Sequence, residues 1–330
     1  MTERAMPAAT ASPDMRRQTY RLGSNYVLHA ARLVALAIDR DLIKALIFLA
    51  ISRANVRAFA ETAEAVTTYA GLGDIPPDDV RVPVTVYRIS RDLRLPYETT
   101  RRHIAHLKAA GLCIVDDGGL VVPRSVLQSP GFLQAVEQNF ALTANLVAEL
   151  ERFGVTSSVP CALPAGDVTR QTVRLSVEYF LDALCLMARV MELDLVDVIL
   201  MRAVSLANVD RLVHDPVLGA EFGGLDDIPS DDHRTPVSAV AIGAFMRMPY
   251  ETVRRRINRL VSLGLIERWV HGGCVVPTAV VVRPSVIAGT AEFATLTEQF
   301  LTKLSGIGVS PPSGTSDGAA HRARAGAIRN

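Results

Sequence analysis

The chain has 330 residues, enough for two domains with sizeable cores, and 49% of them are hydrophobic while only 5% are aromatic. This balance predicts helical cores rich in Leu, Val and Ala. The formal net charge of +1 at pH 7 argues against a protein that coats nucleic acid through its overall charge.

The N-terminus and the cysteines predict a cytoplasmic protein. No apolar region typical of a signal peptide is present, and charged residues interrupt the most apolar stretch, 27–51, so no membrane span is expected. The cysteines form no CxxC pair and are expected to be reduced thiols rather than zinc ligands or disulfides. They are Cys113, Cys161, Cys185 and Cys274.

The first part of the chain predicts a tail followed by two helices. Residues 1–18 are rich in Ala, Thr, Pro and Arg and are expected to be disordered. Apolar periodicity predicts one helix over 22–39 and another over 41–58. A loop rich in Gly, Pro and Asp at 71–79 then leads to the segment 81–123.

That segment, 81–123, predicts two short helices and a hairpin. The first helix spans 84–93. The second begins at Pro96, which suits a first helical position, and ends at Gly111, which suits a left-handed cap. Short apolar strands on either side of Asp117-Gly118-Gly119 predict a β-hairpin. The buried stripe of the second helix is expected to be Thr100, Ile104 and Leu107.

This order of helix, turn, helix and hairpin resembles the winged helix-turn-helix of bacterial transcriptional regulators. The run TTRRHIAHLKAAGL at 99–112 resembles their recognition helix and first wing residue. The resemblance implies a helix that enters the major groove of DNA with its N-terminal residues at the base edges. Between residues 88 and 108, six Lys and Arg against Asp92 and Glu98 leave a local charge of +4, which suits a few phosphate contacts.

The motif occurs twice in the chain. PYETTRRHIAHL at 96–107 returns as PYETVRRRINRL at 249–260, with eight identities in twelve positions and an offset of 153 residues. We therefore predict an internal duplication of a whole domain. Two further pairs of segments share this offset: 52–56 with 205–209, and 75–79 with 228–232.

The predicted fold is mainly α with small β-hairpin wings, built as tandem duplicated winged helix-turn-helix domains. Each repeat ends in a long helix, expected at 132–153 and 284–309, which suits either packing of the two copies or homodimerisation. The predicted segments are a disordered N-terminal tail at 1–18, a first repeat at 19–155, a linker at 156–172, a second repeat at 173–309 and a disordered basic tail at 310–330.

The two copies differ at their wings. The second wing is one residue longer and carries cationic and aromatic side chains, namely Arg268, Trp269 and His271, whereas the first carries Asp116 and Asp117 near its tip. Because carboxylates repel phosphates, we expect the second wing to contact DNA and the first not to. The buried stripe of the second recognition helix is expected to be Val253, Ile257 and Leu260.

The start of each recognition helix is the expected base-reading end. Arg reads guanine through its bidentate fork and Glu accepts from cytosine N4, while the tyrosines alternatively contact a phosphate. These base-proximal residues are Tyr97, Glu98, Thr99 and Arg101 in the first copy and Tyr250, Glu251, Thr252 and Arg254 in the second. Expected phosphate contacts are Arg102, His106, Lys108, Arg255, Arg256 and Arg259, with Asn258 and the second wing completing the interface.

No metal, cofactor or catalytic site is expected. His103 and His106 stand three residues apart on one helix, but the second copy has arginines at both positions, which indicates a cationic surface. The acidic loops at 74–79 and 226–232 are expected to supply turns and helix caps. Gly71-Leu72-Gly73 lacks the spacing of a nucleotide-binding loop, and no nucleophile stands at a recognisable spacing from a base, so enzyme activity is not expected.

These observations favour a cytoplasmic, nucleoid-associated transcriptional regulator that binds double-stranded DNA sequence-specifically. Its recognition helices, at about 96–110 and 249–263, would read two half-sites. Two alternatives stay open: a structural module that binds partner proteins, as tandem winged helices do in chromosome-condensation complexes, and a plasmid replication initiator bound to iterated origin repeats. No separate sensor domain is visible, so a small-molecule effector would have to bind between the helices that flank the wings.

Overall fold

The computed structural model describes residues 13–60, 67–157, 166–269 and 272–309. It is mainly helical and contains two small antiparallel hairpins, which confirms the predicted class. The first half comprises α1 (Arg16–Ala37), α2 (Leu42–Ala60), a 3-10 turn (Asp78–Val80), α3 (Val86–Asp92), α4 (Tyr97–Ala109), β1 (Ile114–Asp116), β2 (Gly119–Val121), α5 (Arg124–Leu127) and α6 (Pro130–Arg152).

The second half begins with α7 and repeats the order of helices and hairpin. Within the described ranges, no helix combines the length and the apolar character needed to cross a membrane. The elements are α7 (Thr169–Met191), α8 (Leu195–Asn208), α9 (Asp210–His214), α10 (Pro216–Glu221), a 3-10 turn (Asp231–His233), α11 (Ala239–Met246), α12 (Tyr250–Ser262), β3 (Glu267–Arg268), β4 (Cys274–Val275), α13 (Thr278–Val281) and α14 (Pro284–Gly306).

Four helices of 22 or 23 residues, α1, α6, α7 and α14, form the centre of the molecule. Helices α1 and α7 each pack against both α6 and α14. At their contact Tyr179 stacks on Phe300 with ring centroids 4.5 Å apart, and Tyr20 meets Phe293 edge-on at 5.1 Å. Buried side chains of both halves form one continuous cluster, so the long helices pack the two halves together.

The elements of the second half follow those of the first at a nearly constant offset. Both ends of α4 and α12 differ by 153 residues, and both ends of α6 and α14 differ by 154, because the intervening second hairpin is one residue longer. The predicted stripes of α4 and α12, the two helices predicted to be recognition helices, are confirmed as buried: Thr100, Ile104 and Leu107 in α4, and Val253, Ile257 and Leu260 in α12.

The first hairpin turns where the sequence predicts. Strand β1 pairs with β2 in antiparallel register, with Ile114 opposite Val121. Asp117 and Gly118 between the strands have φ values of 42° and 78°, the two left-handed positions of a type I′ turn. Gly111, the predicted cap after α4, is also left-handed, with a φ of 69°.

A buried asparagine joins each helical unit to its hairpin. Asn55, at 0% exposure, donates to the carbonyls of Val82 and Leu120 over 2.8 and 2.9 Å. Its side-chain oxygen accepts a bond of 2.9 Å from the backbone N–H of Val122. Asn208 makes the three corresponding bonds in the second half over 2.8, 3.0 and 2.9 Å. The asparagine in the repeated segment therefore satisfies backbone groups that the short strands leave unpaired.

The start of α1 is held by a loop of the second half. The Asp14 carboxylate accepts a hydrogen bond of 3.0 Å from the backbone N–H of Leu225, and Arg17 Nε donates to the Gly224 carbonyl over 3.3 Å. Because these groups anchor the first turn, α1 begins at Arg16. Positions 16–18 are thus helical, which corrects the predicted disorder of that part of the tail, while 1–12 lie outside the described residues.

The first half holds the start of α7 in the same way. Asp167 accepts a bond of 2.7 Å from the backbone N–H of Leu72, and Arg170 donates to the Leu72 carbonyl over 2.6 Å. Asp167 and Arg170 follow Asp14 and Arg17 by 153 residues, so the two sets of contacts, here called the reciprocal latches, are isologous.

The latches change two predicted segment bounds, the end of the N-terminal tail and the end of the linker. Helix α7 begins at Thr169, so residues 169–172 of the predicted linker are helical. The latches account for this start, since their polar bonds order the chain before the apolar stripe begins. The middle of the linker, 158–165, and the basic tail, 310–330, lie outside the described residues.

Candidate nucleic-acid interface

Each recognition helix follows a short helix and a tight turn. The turn residues Arg94 and Arg247 adopt left-handed backbone with φ values of 54° and 55°. Pro96 and Pro249 then stand at the N-cap, one residue before the first helical position at which the sequence places Pro96. A side-chain hydroxyl caps each preceding helix: Thr85 accepts from the N–H of Arg88 in α3, and Ser238 from that of Ala241 in α11.

The first turns of α4 and α12 present the same exposed side chains. Tyr97 and Tyr250 are each 47% exposed. Arg101 pairs with Glu98 at 2.9 Å and Arg254 with Glu251 at 2.8 Å, three residues apart on the helix surface. The predicted Thr99 and Thr252 are half-buried beside them.

These Glu–Arg pairs are solvated ion pairs. The hydrogen bond that Arg254 donates lowers the pKa of Glu251, and the hydrogen bond that Arg101 donates to Glu98 raises the pKa of Arg101. Exposed pairs of this kind are screened by water and salt. The arginines can therefore exchange their carboxylate partner for a base edge or a phosphate at little energetic cost.

Arg256 and Arg259 turn towards the protein. Arg256 Nη1 lies 2.9 Å from Asp194 and 2.6 Å from Asp197, and Arg259 Nη1 lies 3.1 and 2.7 Å from the same two carboxylates. Asp197 has a side-chain exposure of 0%. These contacts, here called the α8–α12 ion network, join the recognition helix to the start of α8.

The network changes the role assigned to both arginines. Burial raises the pKa of Asp197, whereas the pKa of Asp194 is lowered because backbone N–H bonds and Arg256 outweigh its burial. Removing an arginine would leave Asp197 poorly paired inside the protein. We therefore no longer expect Arg256 and Arg259 to contact phosphate, since their guanidinium groups already pair with Asp194 and the buried Asp197.

The remaining predicted helix cations are exposed. They are Arg102, His106 and Lys108 on α4 and Arg255 on α12. Arg255 Nε also donates to the Glu251 carbonyl over 3.4 Å. The first helix therefore keeps three of its predicted phosphate contacts, and the second keeps one.

The second wing is tied to its recognition helix. Arg268 Nη2 donates to the side-chain oxygen of Asn258 over 2.5 Å, which joins two predicted interface residues. Trp269 is 39% exposed. His271 lies outside the described residues. The described part of this wing thus presents a cation and an aromatic ring next to α12.

The first half has a different cluster where the second has its ion network. His103 is half-buried with Nδ1 3.5 Å from Asp41, and burial lowers its pKa. Its ring centroid lies 6.2 Å from that of His106. Among the described residues, no group of three or more His, Cys, Asp and Glu side chains is arranged to hold a metal ion.

Sequence reasoning missed the acidic partners of α12. Asp194 caps α8 by accepting from the N–H groups of Val196 and Asp197 at 3.0 and 2.9 Å. An Asp at a predicted helix start, with a second Asp three residues later, was the available signal. Comparisons of the chain with models of protein families, with curated proteins and with solved structures found no match, so the interface rests on geometry and chemistry alone.

Proposed function

We propose that this chain is a sequence-specific, double-stranded-DNA-binding transcriptional regulator with two duplicated winged helix-turn-helix units. One observation carries the proposal. Helices α4 and α12 each bury a three-residue stripe and expose the same Tyr, Glu and Arg side chains at their first turn. A helix exposed at its N-terminal end suits insertion into the major groove.

The charges of the exposed side chains support this function. Arg101 and Arg254 carry forked donors that match guanine O6 and N7, and Glu98 and Glu251 can accept from cytosine N4. Arg102, Lys108 and Arg255 lie beside them in positions that suit phosphate contacts.

The reciprocal latches support reading of two half-sites by one chain. Because each half holds the first turn of the other's long helix, the two recognition helices belong to one continuous core and not to two loosely tethered domains. A covalent pseudo-dimer of this kind can bind a two-part operator without an encounter between separate chains. A chain with this function would act at the nucleoid, in the cytoplasm.

Selection from random duplex DNA tests the proposal. The full chain should enrich a two-part motif, and fluorescence anisotropy should show tight binding to it that weakens steeply between low and high salt. The double variant Arg101→Ala, Arg254→Ala should lose discrimination between this motif and unrelated DNA. Lys303→Ala, a change on the central helix α14 where the lysine pairs with Glu178, is the matched control.

Two results would contradict the regulator function. Absence of any enriched motif, with affinity equal for all sequences, would favour the structural module that binds partner proteins. Enrichment of several tandem copies of one repeat, in place of a two-part site, would favour the replication initiator.

A further inference from the structure

We propose that a cavity beside the second recognition helix binds a small organic carboxylate with an apolar body. The cavity has a volume of about 390 Å³ and lies between the α1–α2 junction and the turn that joins α11 to α12. This volume is within the range of small-molecule sites in proteins.

The walls of the cavity are mainly apolar. Its lining includes Leu36, Ile43, Val196, Met246, Met248 and Pro249. Methionine side chains adapt readily to the shape of a neighbouring group, and the proline ring adds a rigid apolar surface. An aliphatic chain or an aromatic ring would therefore replace water at this surface favourably.

Cationic side chains lie at the edge of the cavity. Arg40 and Arg247 both line it and are exposed, and neither forms a salt bridge with any residue that the structure describes. Of the other charged lining groups, Arg256 is neutralised by the α8–α12 ion network, and Asp41 is a single carboxylate against the two arginines. The uncompensated charge at the cavity is therefore positive, which selects a carboxylate.

The second half has no cation at the position equivalent to Arg40. Its counterpart 153 residues later is Leu193, which is 9% exposed and belongs to the core. At the α1–α2 junction, both Asp39 and Arg40 adopt left-handed backbone, with φ values of 50° and 56°. At the corresponding α7–α8 junction, Glu192 is left-handed, with a φ of 54°, and Leu193 is not. Strained backbone of this kind is common at ligand clamps. The structure thus holds a cation where the other half buries a leucine.

The cavity also touches the recognition helix itself. Pro249 and Thr252, in the first turn of α12, form part of its lining. A bound carboxylate would therefore contact the first turn of α12, and we expect it to change DNA affinity as an effector. The effect on DNA affinity rests on the proposed function, whereas the binding of a carboxylate in the cavity does not.

Calorimetry on the full chain tests the site with two carboxylates, octanoate and 2-naphthoate, and with their neutral amides. We expect saturable binding of at least one carboxylate and at least tenfold weaker binding of its amide. Arg40→Asn removes the charge and tolerates left-handed backbone, so it should raise the Kd at least fivefold. Arg94→Asn is the matched control and should leave the Kd unchanged, because Arg94 is also a left-handed arginine, the first-half counterpart of Arg247, and lies outside the cavity lining.

A second variant tests the volume of the cavity instead of its charge. Ile43→Phe should fill part of the volume and weaken binding of 2-naphthoate, with Leu36→Phe as the substitute if the first variant unfolds. Equal binding of acids and amides, unchanged binding by Arg40→Asn, or no binding of either acid at millimolar concentration would overturn the site. Carboxylate binding that leaves DNA affinity unchanged would remove the effector role alone. Carboxylate binding by a chain that selects no DNA motif would count against the regulator alone.

Discussion

Single side chains carry out two different tasks in this protein. Asn55 and Asn208 are buried and satisfy backbone groups of the hairpins. Arg101 and Arg254 are exposed, and each pairs with a carboxylate on its own helix, the single ion pair that it makes among the described residues. The first kind of residue should affect stability when replaced, and the second should affect recognition.

Replacement of Arg254 tests recognition. Arg254→Ala should weaken binding to the selected motif by roughly five- to 150-fold and relax specificity at one position of one half-site, as expected for a lost bidentate base contact. Fluorescence anisotropy with single-base variants of the motif measures both effects. A uniform loss across all sequences would instead identify Arg254 as a phosphate contact, and unchanged binding would exclude it from the interface.

Replacement of Asn208 tests stability. Asn208→Ala leaves buried backbone groups without a partner, and each such group costs about 1–3 kcal/mol of unfolding free energy. Urea unfolding followed by circular dichroism measures the loss. Asn258→Ala, at an exposed position on α12, should change stability by less than about 0.5 kcal/mol. Equal stabilities of the two variants would contradict the structural role of Asn208.

At the scale of elements, the two recognition helices are attached differently to the helix behind them. In the second half, the α8–α12 ion network joins two arginines to Asp194 and Asp197. In the first half, the equivalent positions of α4 carry histidines, and His103 approaches Asp41. At this contact α12 therefore carries permanent charges, whereas α4 carries a titratable side chain.

The ion network predicts a stability effect without a change in phosphate contacts. Arg256→Ala should lower the unfolding free energy by roughly 1.5–3 kcal/mol, the range for hydrogen bonds to charged groups. It should leave the salt dependence of DNA binding unchanged, whereas Arg255→Ala should reduce its slope by about one. Anisotropy titrations at several salt concentrations distinguish the two. A reduced slope for Arg256→Ala would return this arginine to the DNA interface.

Titration of His103, which has no histidine counterpart in the second half, predicts a pH dependence of the unfolding free energy. Burial holds the folded-state pKa of His103 below the ordinary value of 6.5, so the unfolded chain takes up the proton first as the pH falls. Stability from this group is therefore complete above about pH 6.5 and is lost as the pH falls through the lower folded-state pKa. Urea unfolding at pH 7.5 and 5.5 should show a larger loss for the native chain than for His103→Gln. Identical losses would exclude His103 as the source.

At the scale of the whole molecule, the reciprocal latches couple two halves into one body. Their four side chains, Asp14, Arg17, Asp167 and Arg170, order the first turns of α1 and α7 against the opposite half. Both long helices then enter a core to which both halves contribute. If α4 and α12 read DNA as proposed, their fixed positions in one body would require a fixed spacing of half-sites.

Spacing of the half-sites tests this rigidity. Centres of the two half-sites should be about 10–10.5 bp or a multiple apart. Inserting 5 bp between them rotates one half-site by half a turn and should reduce affinity to that of a single half-site. A spacer of unchanged length and altered sequence is the control. Binding that tolerates the insertion would show that the halves move independently on DNA.

Local sequence determined the buried stripes of α4 and α12 and the place of the first hairpin turn, whereas the starts of α1 and α7 depend on the latches. Helical periodicity, Pro96 and the Asp117-Gly118 turn act over a few residues, so α4 and its hairpin could be predicted, as could α12 with its stripe. The offset of 153 residues likewise needed only comparison of the chain with itself.

Tertiary structure decided which charged groups face solvent. Arg256 meets Asp194 across 62 residues, and Asp14 meets Leu225 across 211, so neither partner is visible in a local pattern. Arginines at the same helical spacing look alike in a sequence, whether they meet solvent or a buried carboxylate. The physical reason is that burial and pairing depend on what packs against a helix, and only the assembled core brings α8 beside α12 and each latch beside its loop.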